Sequence, residues 1–173
     1  MATTNINPSK GLRDPLVLTL AILIGTSAFA VDGSLAAIPA VAEAFSTDIG
    51  TAQYTVSFYL LGFSLALIPM GFLADYFGRR RLLLVFISLF VLCGIFTSMS
   101  ESIEALVAAR FLMGACAASA GIVTRATARD ITEGSETVRL MGLLTGVLGV
   151  TMILAPLVGG TALTWFGWRA SFA

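Results

Sequence analysis

Long, mainly apolar runs recur five times along the chain, at 16–39, 52–74, 82–99, 103–124 and 138–163, and charged residues collect in the short links between them. A helix needs roughly 20 residues to cross bilayer hydrocarbon, so each run predicts a membrane-spanning helix. A sixth run opens near Trp168, just before the sequence stops. The links hold no low-complexity tract and no soluble domain. The expected fold is therefore one all-α polytopic bundle over 1–173, with five complete transmembrane helices and the start of a sixth.

Composition agrees with that pattern. Hydrophobic residues make up 57% of the chain and charged residues 12%, and mean hydropathy is +0.94, too few polar groups to coat a water-soluble fold. The partner to expect is the lipid bilayer. A formal net charge of +0 leaves no electrostatic basis for binding nucleic acid. With His at 0 there is no His-dependent metal site, serine–histidine triad or imidazole relay, so any proton chemistry runs through carboxylates. The chain also has no Glu-x-x-His and no Gly-x-Ser-x-Gly, which argues against a membrane enzyme. Cys93 and Cys116 lie inside apolar runs without ligand spacing and read as packing residues.

Basic residues sort by side. Lys10 and Arg13 precede the first run, Arg79 to Arg81 follow the second, and Arg125, Arg129 and Arg139 surround the link between the fourth and fifth. The alternate links carry Glu43, Asp48, Glu101 and Glu104, with Arg169 as their cation. The positive-inside rule makes the amino terminus and the 2–3 and 4–5 links cytoplasmic. Lys10, Arg13 and the Ala28-Phe29-Ala30 triplet imitate a cleavable signal, but apolar character continues to Ala44, too long for a signal core, and predicts a retained helix.

Two charges fall within the spans, Asp32 and Arg110, and an intramembrane ionisable residue is a functional candidate by default. Asp32 precedes Pro39 by about 7 residues on an outward-running span, and Arg110 follows Ile103 by about 7 on an inward-running one. Both then sit roughly 10 Å below the outer surface and can form a pair. By the helical period Asp32 shares a face with Gly25, Ala28 and Ala36, and Arg110 with Gly114, Ala117 and Gly121. Small residues around a charge leave room either for a cavity or for close helix contact. The two charges read either as a static ion pair or a snorkelling arginine, or as a coupling device, in which the proton affinity of Asp32 follows hydration, Arg110 and any cationic ligand.

The link after the second run reads GFLADYFGRRRLLL at 71–84. Asp75 and Arg79 are four apart, a spacing that pairs side chains on a helix end, and Gly78 supplies the freedom a sharp reversal needs. On charge alone the stretch is a positive-inside anchor. The order Gly71, Asp75, Gly78, Arg79, Arg80 resembles the signature loop between helices 2 and 3 of the major facilitator superfamily. RFLMG at 110–114 is similar to that family's helix 4 motif, with Met113 where a glutamine is usual. LAPLVGG at 154–160 resembles the helix 5 antiporter motif, with Ala155 and Thr151 in place of two glycines. Asp32 followed by Pro39 is similar to the helix 1 aspartate motif of drug-efflux branches, although Ala36 replaces a proline. TRATARDI at 124–131 resembles the bicyclomycin-resistance type of multidrug exporter. Leu67 departs from that type, where a glutamine is frequent.

The resemblance implies the amino-terminal half of a drug:proton antiporter, working by alternating access without a cofactor other than the proton gradient. Asp32 and Arg110 would carry proton coupling and substrate contact. Arg79 would lie between Asp75 and Asp130, and with Gly71, Gly78 and Arg80 would close the cytoplasmic gate against a carboxy-terminal half. Arg125 and Arg129 would mark the cytoplasmic end of helix 4. Gly149, Pro156, Gly159 and Gly160 would seal the interface between halves, while Gly142 and Gly146 form a small-xxx-small pair and Pro156 predicts a kink. The resemblance further implies a bacterial inner membrane, a small hydrophobic substrate, and a chain that continues beyond 173 into a sixth helix and a second half. Competing readings are a nutrient facilitator or symporter of the same superfamily and a non-transporting assembly subunit.

Overall fold

Three helices start on a side-chain cap. Asp14 accepts from the Leu16 N–H at 3.0 Å, Asp48 from the Thr51 N–H at 2.9 Å, and Ser102 from the Ala105 N–H at 3.2 Å. Each satisfies an amide that the first turn leaves without a helical partner. Asp48 also accepts from the Thr51 hydroxyl at 2.7 Å, and these bonds hold its carboxyl below the usual aspartate range. Two of the reversals between helices use glycines, Gly78 at φ 85° and Gly134 at φ 57°, in a region that L side chains rarely enter, while Ser46 enters it at φ 50° in another.

The computed structural model describes residues 14–172. They form α1 (Pro15–Leu35), α2 (Ile38–Ala44), α3 (Ile49–Phe77), α4 (Arg79–Ser98), α5 (Ile103–Ile131), α6 (Ser135–Phe166) and a closing 3-10 turn (Trp168–Ser171), with no strand among the described residues. Five of these, α1, α3, α4, α5 and α6, are long and apolar enough to cross a membrane. Lys10 and Arg13 lie outside the described residues.

Three boundaries differ from the sequence reading. The run expected to continue through Pro39 breaks after Leu35 and restarts as α2, with Pro39 in the first turn, where its missing N–H is harmless. Asp32 therefore sits in the last turn of α1, not seven residues short of its end. α3 and α5 reach 29 residues each and α6 reaches 32, against roughly 20 needed for hydrocarbon, because their polar ends remain helical. The run opening at Trp168 begins as the 3-10 turn, with Trp168 stacked edge-on against Phe45 and Phe172.

α5 is the centre of the bundle. It packs against α3, α4, α1 and α6, and 67% of its apolar stretch is buried, against 39% or less in the other spans. Backbone contact with α3 requires glycine. A Cβ on Gly62 would collide with the Phe111 carbonyl, and one on Gly114 with the Tyr59 carbonyl. α6 meets α1 the same way, with Gly159 against the Gly33 carbonyl and Ala155 fully buried beside it. The expected close approach at Gly142 and Gly146 is absent among the described residues, since nothing there lies within 4 Å of a Cβ at either. Leu140 and Leu144 take the buried face instead, and two residues of offset turn those glycines away from it. Exposed apolar side chains such as Ile68, Phe72, Ile153 and Leu157 cover the outside, a surface suited to lipid rather than water.

The α3–α5 crossing yields a stability prediction. Gly62→Ala and Gly114→Ala should each destabilise the detergent-solubilised protein by about 1–3 kcal/mol, read as a lowered Tm. Together they should lower it by less than the sum, since both separate the same two helices. Full additivity would show that the two contacts are independent.

Candidate functional site

Two cavities lie on opposite sides of α1. Ala30 and Ser34 are one helical turn apart and share a face, while Asp32 is two residues from each, about 200° around the axis. The Arg110 guanidinium, fully buried, reaches the first face. Its Nη2 donates to the Ala30 carbonyl at 3.1 Å and to the Ser34 hydroxyl at 2.6 Å. Asp32, half-buried, lines the other, a largely apolar cavity of about 410 Å³ shared with Ala28, Tyr59, Phe63, Arg125 and Met152.

The expected Asp32–Arg110 pair is accordingly not formed. The common level along α1 is as the sequence placed it, but the helical period sends the two charges to opposite sides. Among the described residues Asp32 has no ion pair. Arg110 is held by neutral groups. Its Nη1 donates to the Met113 sulfur at 3.7 Å, and its carbon Cζ lies 4.8 Å from the Tyr59 ring centre and 4.9 Å from that of Phe172. Met113, which departs from the motif, thus supplies an acceptor where a glutamine is usual.

Of the small residues on the Arg110 face, Gly114 serves close helix contact and Gly121 serves the cavity, where its carbonyl accepts from Arg125 at 3.4 Å. Arg125 was expected at the end of the helix with Arg129. It lies six residues before Ile131 and turns back toward the helix start, as helical side chains do, into the cavity that contains Asp32. Arg129 stays exposed in the last turn.

Tyr59 is the residue that sequence reasoning missed. Its hydroxyl donates to the Ser27 carbonyl at 3.2 Å, its ring lies over Arg110, and its side chain lines the Asp32 cavity. Thr55, Tyr59, Gly62 and Ala66 form a stripe at helical spacing on α3, and all are buried. That stripe was the available signal, because small and polar-tipped residues on one face of a span mark a helix contact.

At the far end, α3 stops at Phe77 and Gly78 turns the chain directly into α4. Arg79 is then the first residue of a new helix, so the i,i+4 argument that linked it to Asp75 does not apply. Arg79 forms an ion pair with Asp130 in the last turn of α5, with side chains 31% and 57% exposed. Asp75 and Arg80 are exposed, and neither joins that pair. Gly71 faces open space. Asp130 lies 20 residues from Arg110 on α5, about 30 Å along the axis.

The helix 5 motif is used partly inside the bundle. Gly159 packs on Gly33, and a Cβ on Gly160 would touch Ala36 at 3.9 Å, whereas Gly149 meets nothing within 4 Å. α6 runs helical through Pro156. Thr151, where the motif has glycine, stands 3.2 Å from where a Cβ on Gly25 would be, which makes Gly25 the small partner at that level.

The family model described as "Major Facilitator Superfamily" matches residues 20–173. A Bacillus subtilis protein described as an uncharacterized MFS-type transporter, YdgK, is 32% identical over 91% of this chain and 39% of its own length. The chloramphenicol resistance protein of Pseudomonas aeruginosa is 35% identical over 83% of this chain and 34% of its own length. Multidrug resistance protein D of Escherichia coli is 29% identical over 91% and 40%. The chain thus spans two fifths or less of these curated relatives. With this match over most of its length and five membrane-spanning helices in the arrangement described, the chain belongs to the Major Facilitator Superfamily.

Proposed function

We propose that this chain is the amino-terminal half of a secondary transporter that exports small, hydrophobic, drug-like molecules in exchange for protons by alternating access. The observation that carries the reading is Asp32, a carboxylate in a membrane-spanning helix with no ion pair among the described residues, lining a mostly apolar cavity of about 410 Å³. An intramembrane acid without a partner charge changes protonation with hydration and with occupancy of the cavity. The apolar walls suit hydrophobic cargo, and relatives named for multidrug and chloramphenicol resistance support the same class. The likeness to the bicyclomycin-resistance type rests on the stretch at 124–131.

In this reading the protein sits in a bacterial inner membrane with its amino terminus cytoplasmic, and a carboxy-terminal half completes the central cavity. The Arg79–Asp130 pair ties the start of α4 to the end of α5 at the cytoplasmic side and, with Asp75, Gly71, Gly78 and Arg80, forms the surface that meets the other half. Asp75, free of Arg79, is available to the positive end of a helix there. Exposed ion pairs contribute roughly 0–1 kcal/mol, so this pair biases the gate by a factor of about five at most. It acts as a latch that transport can open. Gly149, with open space beside it, faces outward toward the second half, while Gly159 and Gly160 hold α6 to α1.

Three outcomes test the proposal. Cells expressing the complete reading frame should accumulate less of a lipophilic cation dye, and a protonophore should abolish the difference; dye levels indifferent to the protonophore would rule out proton coupling. Asp32→Asn should bring export to background while membrane abundance, read by immunoblot, is unchanged; export at the parental rate would remove Asp32 from the mechanism. Asp130→Asn should raise labelling of a cytoplasmic-side cysteine reporter by up to about fivefold, and the exchange of Arg79→Asp with Asp130→Arg should reverse that rise. Equal labelling in all three proteins would leave the loop as a topological anchor.

A further inference from the structure

α3 and α4 form a hairpin about Gly78, and beside the turn they enclose a groove of about 350 Å³. Leu73 and Phe77 wall it on α3, and Arg81, Leu82, Val85 and Phe86 wall it on α4. All but Arg81 are apolar. Arg81 is exposed and forms no ion pair among the described residues. The first turn of α4 also carries Arg79 and Arg80 and has no acidic residue, so the pair that Arg79 makes with Asp130 leaves two cations uncompensated there.

The helical period separates this groove from the Arg79–Asp130 pair and from Asp75. Arg81 follows Arg79 by two residues, about 200° around α4, and Asp75 stands in the same relation to Leu73 and Phe77 on α3. From Arg81, Val85, Leu89, Leu92 and Phe96 continue along α4 at spacings of three and four, and all four are exposed. The cation thus heads an open apolar stripe about 22 Å long. We propose that the groove holds an anionic phospholipid, with its phosphate on Arg81 and an acyl chain passing Val85 onto the stripe. A guanidinium binds phosphate through paired, charge-assisted hydrogen bonds, and the apolar walls accept the tail. A small soluble anion would match the arginine and leave the walls bare. A zwitterionic lipid brings its own ammonium and leaves the positive charge of the turn uncompensated. The inference needs only that α3 and α4 cross a bilayer, and it is independent of what the Asp32 cavity carries.

The test is native mass spectrometry of protein purified from the complete reading frame in an uncharged detergent, titrated with phosphatidylglycerol and phosphatidylcholine of matched chains. The first bound lipid should be phosphatidylglycerol by about fivefold. Glycerol phosphate, a charged head without tails, should not displace it. Arg81→Gln, a change at an exposed position, should bring the ratio close to one, and Arg81→Lys should keep most of the preference. Val85→Trp, which fills the groove beside an intact arginine, should also bring the ratio close to one. Equal retention of the two lipids by the parent protein overturns the proposal, as it would if the second half of the transporter covered the groove. A preference that survives Arg81→Gln puts the lipid elsewhere and overturns it too. One that survives Val85→Trp, or that glycerol phosphate abolishes, reduces Arg81 to a bare surface charge and overturns the groove as the site.

Discussion

The arrangement of this bundle depends on a guanidinium kept inside it with no carboxylate partner among the described residues. Arg110 projects from the most buried helix and donates to the Met113 sulfur on its own helix and to the Ala30 carbonyl and Ser34 hydroxyl near the end of α1. The two bonds to α1 set its rotation about its axis. Once Ala30 and Ser34 face Arg110, Asp32 has to face the other way, into the cavity bounded by α3, α5 and α6. Tyr59 sits between the two regions, with its ring on the cation and its hydroxyl on the Ser27 carbonyl, so α1 is gripped at two successive turns.

That grip needs the helices close together, and the glycines supply the distance. Gly62 and Gly114 let α3 and α5 meet backbone to backbone, which brings the Tyr59 ring over a residue four positions from Gly114. Gly33 and Gly159 do the same for α1 and α6. Close contacts of this kind replace the hydrophobic drive that operates in water, because lipid is as apolar as the side chains it surrounds. Small and polar residues such as Ala118, Thr55, Thr124 and Arg110 are accordingly buried beside large apolar ones such as Leu106 and Leu144, while many other large apolar residues face outward.

Charge is distributed by the same logic. Among the described residues, the Arg79–Asp130 ion pair lies at a helix end where water can reach it, and Asp75, Arg80 and Arg129 are exposed nearby. The two charges within the spans, Asp32 in the last turn of α1 and Arg110 inside α5, are held apart. An exposed pair costs little to break, whereas a buried guanidinium keeps its charge only with the acceptors it can reach inside the bundle.

Hydrophobic run length alone determined the five spans and the all-α class, because a bilayer demands about 20 apolar residues whatever the neighbours are. The family resemblance of the motif at 71–84 implied Arg79 between Asp75 and Asp130, and the fold displays the pair with Asp130 alone. What periodicity left open was azimuth. It put Asp32 and Arg110 at one level but could not say which faces of their helices met, since that depends on the glycine contacts between helices far apart in sequence. The same limit hid Tyr59 and the inward turn of Arg125. The break at Leu35 was missed because Pro39 was read as the end of a span rather than the first turn of the next helix. Rotation about each helix axis is settled by packing, and packing belongs to the tertiary structure.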